Sequence, residues 1–166
     1  MCMKIKVKII FLICSFFLPA ALFADIANCP LLSGINVHTK KHTLNICKRG
    51  TIIKSFKIAL GYKGVGKKIA GDNKTPTGLY GLAYPRKSSH FKVFIPILYP
   101  TSRQIAAGYT GRDVGIHGPD QGPGWLSWQN NLPSSTHGCI AVGKNDYIEY
   151  VANWIKANPR TKVLII

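Results

Sequence analysis

The chain has 166 residues, 46% of them hydrophobic, enough for one domain with a packed core and too few for a second domain of ordinary size. Twenty-two Lys and Arg stand against six Asp and Glu, a formal charge of +16, so the expected partner is anionic. The alternative is a solvated basic surface with no such partner.

The chain opens with Lys4, Lys6 and Lys8, followed by an apolar run from Ile9 to Ala24 that Pro19 interrupts. This is the pattern of a secretory signal peptide over residues 1–24, with Ala24 as the small residue before cleavage. A run of roughly 16 residues is shorter than the ~20 a membrane span needs, so membrane contact is confined to the signal peptide before cleavage. The protein is therefore expected outside the cytoplasm, in the periplasm or cell wall. Cleavage leaves 19 basic and 6 acidic residues, a charge of about +13. An exported chain seldom meets nucleic acid, whereas wall polymers rich in carboxylate and phosphate lie outside the bacterial membrane.

Without the signal, Cys29, Cys47 and Cys139 remain, an odd number for an oxidising compartment. Cys29 and Cys47 flank the first predicted hairpin. A bridge between them would close a loop of about 18 residues and contribute roughly 3 kcal/mol, leaving Cys139 free. The alternative, both cysteines reduced, stays open because sequence gives no distance between them.

Residues 25–33 read as an irregular lead-in. Ile35–His38 and Thr43–Lys48 read as short strands, the second with Leu44 and Ile46 on one face and Thr43, Asn45 and Cys47 on the other. Thr51–Leu60 is a third strand, and short turns between the three predict antiparallel pairing. Residues 61–77 are rich in glycine and lysine and read as a mobile basic loop outside the core. A strand, Leu79–Leu82, follows it where a phosphate cradle would require a helix. Phe91–Tyr99 is a strand whose Pro96 predicts an edge or a bulge. Ser102–Ala107 suits a short helix, and Gly111–His117 returns to strand. Residues 118–133 form a loop long enough to be functional, with Trp125 and Trp128 either lining a groove or capping the core. From Gly143 the period becomes helical, with Tyr147, Val151, Trp154 and Ile155 on one face and Asp146 in the first turn, until Asn158-Pro159 stops it. Lys162–Ile166 closes the chain as an apolar strand.

The chemistry concentrates in Ser135-Thr136-His137-Gly138-Cys139. A thiol attacks a carbonyl as thiolate and needs a base or a positive field, and a neighbouring glycine lets an acyl group approach backbone N–H donors. Val114-Gly115-Ile116-His117-Gly118 presents a second His-Gly pair at a strand end, which makes His117 the expected base. With His117 protonated nearby, the Cys139 thiol is expected to titrate below the ~8.5 of a free cysteine. A zinc site from His117, His137 and Cys139, with Asp113 or His90 as fourth ligand, is the competing chemistry. The glycines beside both histidines suit an acyl site better. A papain-like protease is excluded because its cysteine precedes its histidine, the reverse of the order here.

Thr75-Pro76-Thr77-Gly78, Ile116-His117-Gly118 and Thr136-His137-Gly138-Cys139-Ile140, in that order, resemble the L,D-transpeptidase catalytic domain of the YkuD type. The resemblance covers residues 34–166, and the Cys-Ile-Ala-Val form is similar to its YafK-like branch. It implies a mainly β, β-sandwich-like fold with a C-terminal helix and a short final strand. It also implies acyl transfer on peptidoglycan stem peptides with no metal or other cofactor. By position Cys139 is the nucleophile and His117 its base. Gly118 orients that histidine, N–H groups around Gly138 and Cys139 receive the oxyanion, and His137 is the cluster's second histidine. Thr136, Trp125 and Arg112 are the candidate substrate-binding residues. Many members carry arginine two residues after the cysteine, where this chain has Ala141; Lys144, Arg112 and Arg86 are candidates for the missing charge. The acceptor is a second stem's amine, a protein lysine or water. A wall-binding module with an inert Cys139 is the non-catalytic alternative.

Overall fold

The structure, a computed structural model, describes residues 29–122 and 134–166. The expected signal peptide, Trp125 and Trp128 lie outside the described residues. β1 (Gly34–His38), β2 (Thr43–Lys48) and β3 (Thr51–Gly61) form the antiparallel meander that their short turns dictate. In β2 Leu44 and Ile46 are fully buried as expected, but Asn45 on the other face is buried too, so the strand is covered on both faces. Cys47, on the other face, is buried by its disulfide to Cys29, whose Cα lies 6.0 Å away. The bridge ties the lead-in to the sheet, and Cys139 is the free cysteine among the described residues.

Around this meander the sheet is mixed. β4 (Gly78–Gly81), β5 (Arg86–Ser88), β6 (Lys92–Pro96), β7 (Gly115–His117), β8 (Ser134–Thr136), β9 (Ile140–Val142) and β10 (Lys162–Ile165) complete it. The strand order is β4-β10-β1-β2-β3-β9-β7-β6-β5, with β8 paired to β3. β10 joins β1 in parallel, as β9 joins β7. The two ends of this path curl toward each other: Leu82 bridges Ile97, and Leu98 N–H donates to the Gly81 carbonyl at 3.0 Å. The mainly β, sandwich-like expectation therefore holds, realised by one sheet curled around its core. Ile35, Ile46, Ile95, Ile116, Ile140 and Val163 are fully buried within it.

The short helix α1 (Ser102–Ala106) starts at Thr101, whose side chain and that of Gln104 cap it reciprocally. The helix α2 (Asn145–Ala157) buries Ile148, Val151, Ala152 and Ile155 and packs against β6 and β9. Pro96 ends β6, and β6 lies between β5 and β7, so the expected edge is corrected to an interior strand. Proline is tolerated there because β5 has stopped pairing two residues earlier, at Phe94.

The largest correction concerns residues 61–77, which are not a free loop. Thr75 is fully buried, its hydroxyl accepting from Gly61 N–H at 2.9 Å, and Val65 bridges it in parallel. Lys67 is only 6% exposed and its ammonium sits 2.8 Å from Asp72 Oδ1. Asp72 also accepts from the N–H groups of Lys68, Ile69 and Lys74. Burial alone would raise this carboxyl, but the Lys67 ammonium and the three N–H donors hold it far below the usual carboxylate range. Glycines and lysines that read as solvated loop are folded around one acidic side chain.

Candidate active site

The register places the candidate residues in one row across the sheet. Arg86 pairs with Phe94, Phe94 with His117, His117 with Ala141, and Ala141 with Ala59. Paired residues share a face, so these five side chains line up on the side opposite Ile95, Ile116 and Ile140. Cys139 itself sits on the turn directly before β9, next to the Ile140–Ala141 segment that pairs in parallel with Ile116–His117.

His117 is 6% exposed. Its Nδ1 lies 2.7 Å from the Gly118 carbonyl, which can only accept, so Nδ1 carries the proton and Nε2 keeps a free lone pair. The ring stacks on Phe91 at 3.9 Å between centroids and on Phe94 at 6.4 Å. Burial pushes the imidazole below its ordinary range, and the Gly118 carbonyl offsets this only in part.

The Cys139 sulfur donates to the Asp113 carbonyl at 3.7 Å. Burial also raises this thiol, against the Gly115 N–H and the Lys67 ammonium, which favour the thiolate. The expectation of a lowered thiol pKa is therefore corrected. Both partners are held neutral, since a buried neutral histidine supplies no positive field to the sulfur.

The turn that carries Cys139 is fastened by Thr136. Its hydroxyl accepts from Gly138 N–H at 3.1 Å and donates to the Cys139 carbonyl at 2.7 Å. Thr136 is buried, so this expected substrate contact faces inward and shapes the turn. One of the two expected oxyanion donors, Gly138 N–H, is already engaged by that hydroxyl. Gly138 has φ +123°, and a Cβ there would stand 2.6 Å from the Lys74 carbonyl oxygen, so only glycine fits.

His137 points elsewhere. It is exposed, with Nδ1 2.9 Å from the Tyr62 hydroxyl and 3.0 Å from Asn73 Oδ1, and its ring meets Tyr62 edge to face. It links the cysteine turn to the 61–77 segment. Among the described residues no group of three or more His, Cys, Asp or Glu converges as metal ligands would. Arg112 is exposed and lines a cavity of about 600 Å³ together with Arg86 and Phe94. Trp125 lies outside the described residues.

Sequence reasoning missed Gly115, Phe91 and the Lys67–Asp72 pair, and it singled out Asp113 as a metal ligand, whereas its backbone carbonyl receives the Cys139 thiol. Gly115 was legible in part, since it precedes His117 by two residues; a Cβ on it would lie 2.4 Å from Phe94 Cζ. Phe91 reaches the site through its ring stack on His117, a contact between segments distant in the chain that leaves no local signal.

The fold is similar to several solved structures. One is the helical cell shape determining protein Pgp2 from Campylobacter jejuni, at 26% identity and TM-score 0.64 over 79% of this chain and 46% of that one. Another is Bdellovibrio bacteriovorus Bd1075, at 25% identity and TM-score 0.59 over 81% of this chain and 48% of that one. The catalytic domain of the E. faecium L,D-transpeptidase matches at 16% identity and TM-score 0.53, over 81% of this chain and 96% of that one, a likeness of fold alone. The chain spans less than half the length of the Pgp2 and Bd1075 structures. No curated protein matches it. The L,D-transpeptidase catalytic domain model matches residues 33–165, and with the curled sheet in place, the chain belongs to that family.

Proposed function

We propose that this protein is an exported cysteine acyltransferase of the bacterial cell wall, working on peptidoglycan stem peptides through a thioester on Cys139. The observation that carries the reading is the parallel pairing of β7, which ends in His117, with β9, which directly follows Cys139, with His117 Nδ1 fixed on the Gly118 carbonyl. Sγ attacks the carbonyl on the L-centre side of an L,D peptide bond while His117 Nε2 takes the thiol proton. The tetrahedral intermediate collapses, the C–N bond breaks, and the same proton passes to the departing amine of D-alanine. An acceptor amine or water then attacks the thioester and restores the thiol. A stem amine gives a cross-link, a protein lysine an anchored protein, and water an L,D-carboxypeptidase.

The family membership supports this chemistry, and the strongly basic surface suits an anionic wall polymer. The likeness to a helical cell shape determining protein supports a role in the wall. The test is incubation with purified sacculi followed by muropeptide analysis. Loss of tetrapeptide with release of D-alanine is expected, and unchanged muropeptides with folded protein would overturn the reading.

A further inference from the structure

The Lys67–Asp72 pair is nearly buried, and no step of the proposed reaction uses it. The carboxylate does more than neutralise an ammonium. Its Oδ1 accepts from the Lys67 ammonium at 2.8 Å and from Lys74 N–H at 3.1 Å, and its Oδ2 from the N–H groups of Lys68 and Ile69 at 2.8 and 3.1 Å. One side chain thus gathers a whole loop, and the two ends of that loop rest on the two segments that hold the Cys139 thiol.

The later end packs on the cysteine turn. Asn73, at φ +56°, places Oδ1 3.0 Å from His137 Nδ1, and the Lys74 carbonyl oxygen stands where a Cβ on Gly138 would come within 2.6 Å of it. The earlier end packs on residues 110–113. The Lys68 carbonyl accepts from Thr110 N–H at 2.8 Å, and Ala70 N–H donates to the Thr110 hydroxyl at 3.0 Å. A Cβ on Gly111 would lie 3.2 Å from Ala70 Cα and 3.3 Å from Lys67 Cε, so the two backbones are in close approach. That segment ends in Asp113, whose carbonyl receives the thiol at 3.7 Å. Asp113 sits at φ +62°, uncommon for a residue with a side chain, so its surroundings hold the carbonyl in that direction. The buried Tyr99 adds an anchor, its hydroxyl donating to the Lys67 carbonyl at 3.0 Å.

We propose that Asp72 is a positioning residue for Cys139: by drawing in both ends of its loop it clamps the cysteine turn against the Asp113 segment and fixes where the sulfur stands. It acts through Asn73, Lys74 and Gly111. The consequence for turnover rests on the acyl-transfer reading, whereas the placement of the thiol does not.

Iodoacetamide alkylation, followed at the Cys139 peptide by mass spectrometry at neutral pH and well below the melting temperature, tests the placement without turnover. Asp72→Asn should alkylate about tenfold faster, because the released thiol loses its hydrogen bond and its cover while the unpaired Lys67 ammonium favours the thiolate. Release of D-alanine from a synthetic wall tetrapeptide should move the opposite way, with kcat down about tenfold or more and KM little changed, as misplacing a nucleophile does. Faster alkylation with slower turnover is a pattern that lost stability alone does not give. The control is the double variant Cys29→Ser, Cys47→Ser, destabilised at the far end of the meander, which should keep both wild-type rates. Asn73→Gly keeps the positive φ and removes the His137 contact; it should shift both rates in the same directions by about threefold, and it stands in if Asp72→Asn does not fold. Wild-type rates in the folded Asp72→Asn, or in Asn73→Gly where it stands in, would overturn the proposal, as would an equal shift in the disulfide control. If alkylation responds as expected and the wild type releases no D-alanine, the thioester reading fails while the positioning of Cys139 stands.

Discussion

The imidazole of His117 lies on the ring of Phe91, 3.9 Å between centroids and 27° from parallel. This burial depresses the histidine, so the folded state binds the proton more weakly than the unfolded chain does. The contribution is present above the unfolded value of about 6.5 and is lost as pH falls from there through the depressed folded value. Urea unfolding at pH 8, 6 and 5 should show wild type losing more stability than His117→Gln. An equal loss in both would refute the buried neutral histidine. Cys139 runs the other way, raised by burial, so its iodoacetamide rate should inflect above the ~8.5 of an ordinary cysteine.

Cys139→Ser should remove activity on sacculi while leaving the melting curve nearly unchanged, because a hydroxyl is a far weaker nucleophile beside this imidazole. His117→Ala should lower the rate by about 10² or more, the usual contribution of a positioned base. Full turnover by either folded variant would rule out the mechanism.

Gly138→Ala should be severe for its size. The position combines φ +123° with a carbonyl oxygen 2.6 Å from the new methyl carbon, so the turn must shift. A cost of about 1–3 kcal/mol is expected, with loss of activity, since the turn carries Cys139. Chemical denaturation and the sacculus assay check the two parts separately. Wild-type behaviour in both would show that the turn relaxes freely.

Asp72→Asn leaves the nearly buried Lys67 ammonium unpaired and should cost about 3 kcal/mol. The wild-type carboxyl is strongly depressed, so its contribution is complete above about pH 4 and fades as the carboxylate is protonated at lower pH. The gap between wild type and Asp72→Asn should therefore narrow on acidification below pH ~4. A gap that is constant from pH 7 to 2 would remove the ion pair from the account.

Cys47→Ser opens the loop that the Cys29–Cys47 bridge closes and should lower stability by about 2–4 kcal/mol. The Cys139 alkylation rate should stay at the wild-type value, since the bridge lies at the far end of the meander. Mass spectrometry of unreduced peptides should find Cys29 linked to Cys47. A link from either to Cys139 would contradict both the pairing and the free thiol.

Local patterns determined the elements with a strong period or strong punctuation. The β1–β3 meander followed from alternation and tight turns and α2 from its apolar face and the Asn158-Pro159 stop, whereas the Cys29–Cys47 bridge, left open by the sequence, was decided by the structure. The Thr136-His137-Gly138-Cys139 cluster and the His117-Gly118 pair marked the chemistry, because a thiol, a base and glycine clearance are properties of residue type and spacing. β5, β8 and β9, three residues each, were not separated as strands, being too short to display a period. Only the tertiary structure decided what the cross-strand register controls: that Arg86, Phe94, His117 and Ala141 share a row, and that Thr136 turns inward. It also decided that residues 61–77 fold around Asp72, and that burial raises the Cys139 thiol and lowers the His117 imidazole. Desolvation and pairing between strands distant in the chain depend on which segments meet, and no single stretch of sequence carries that information.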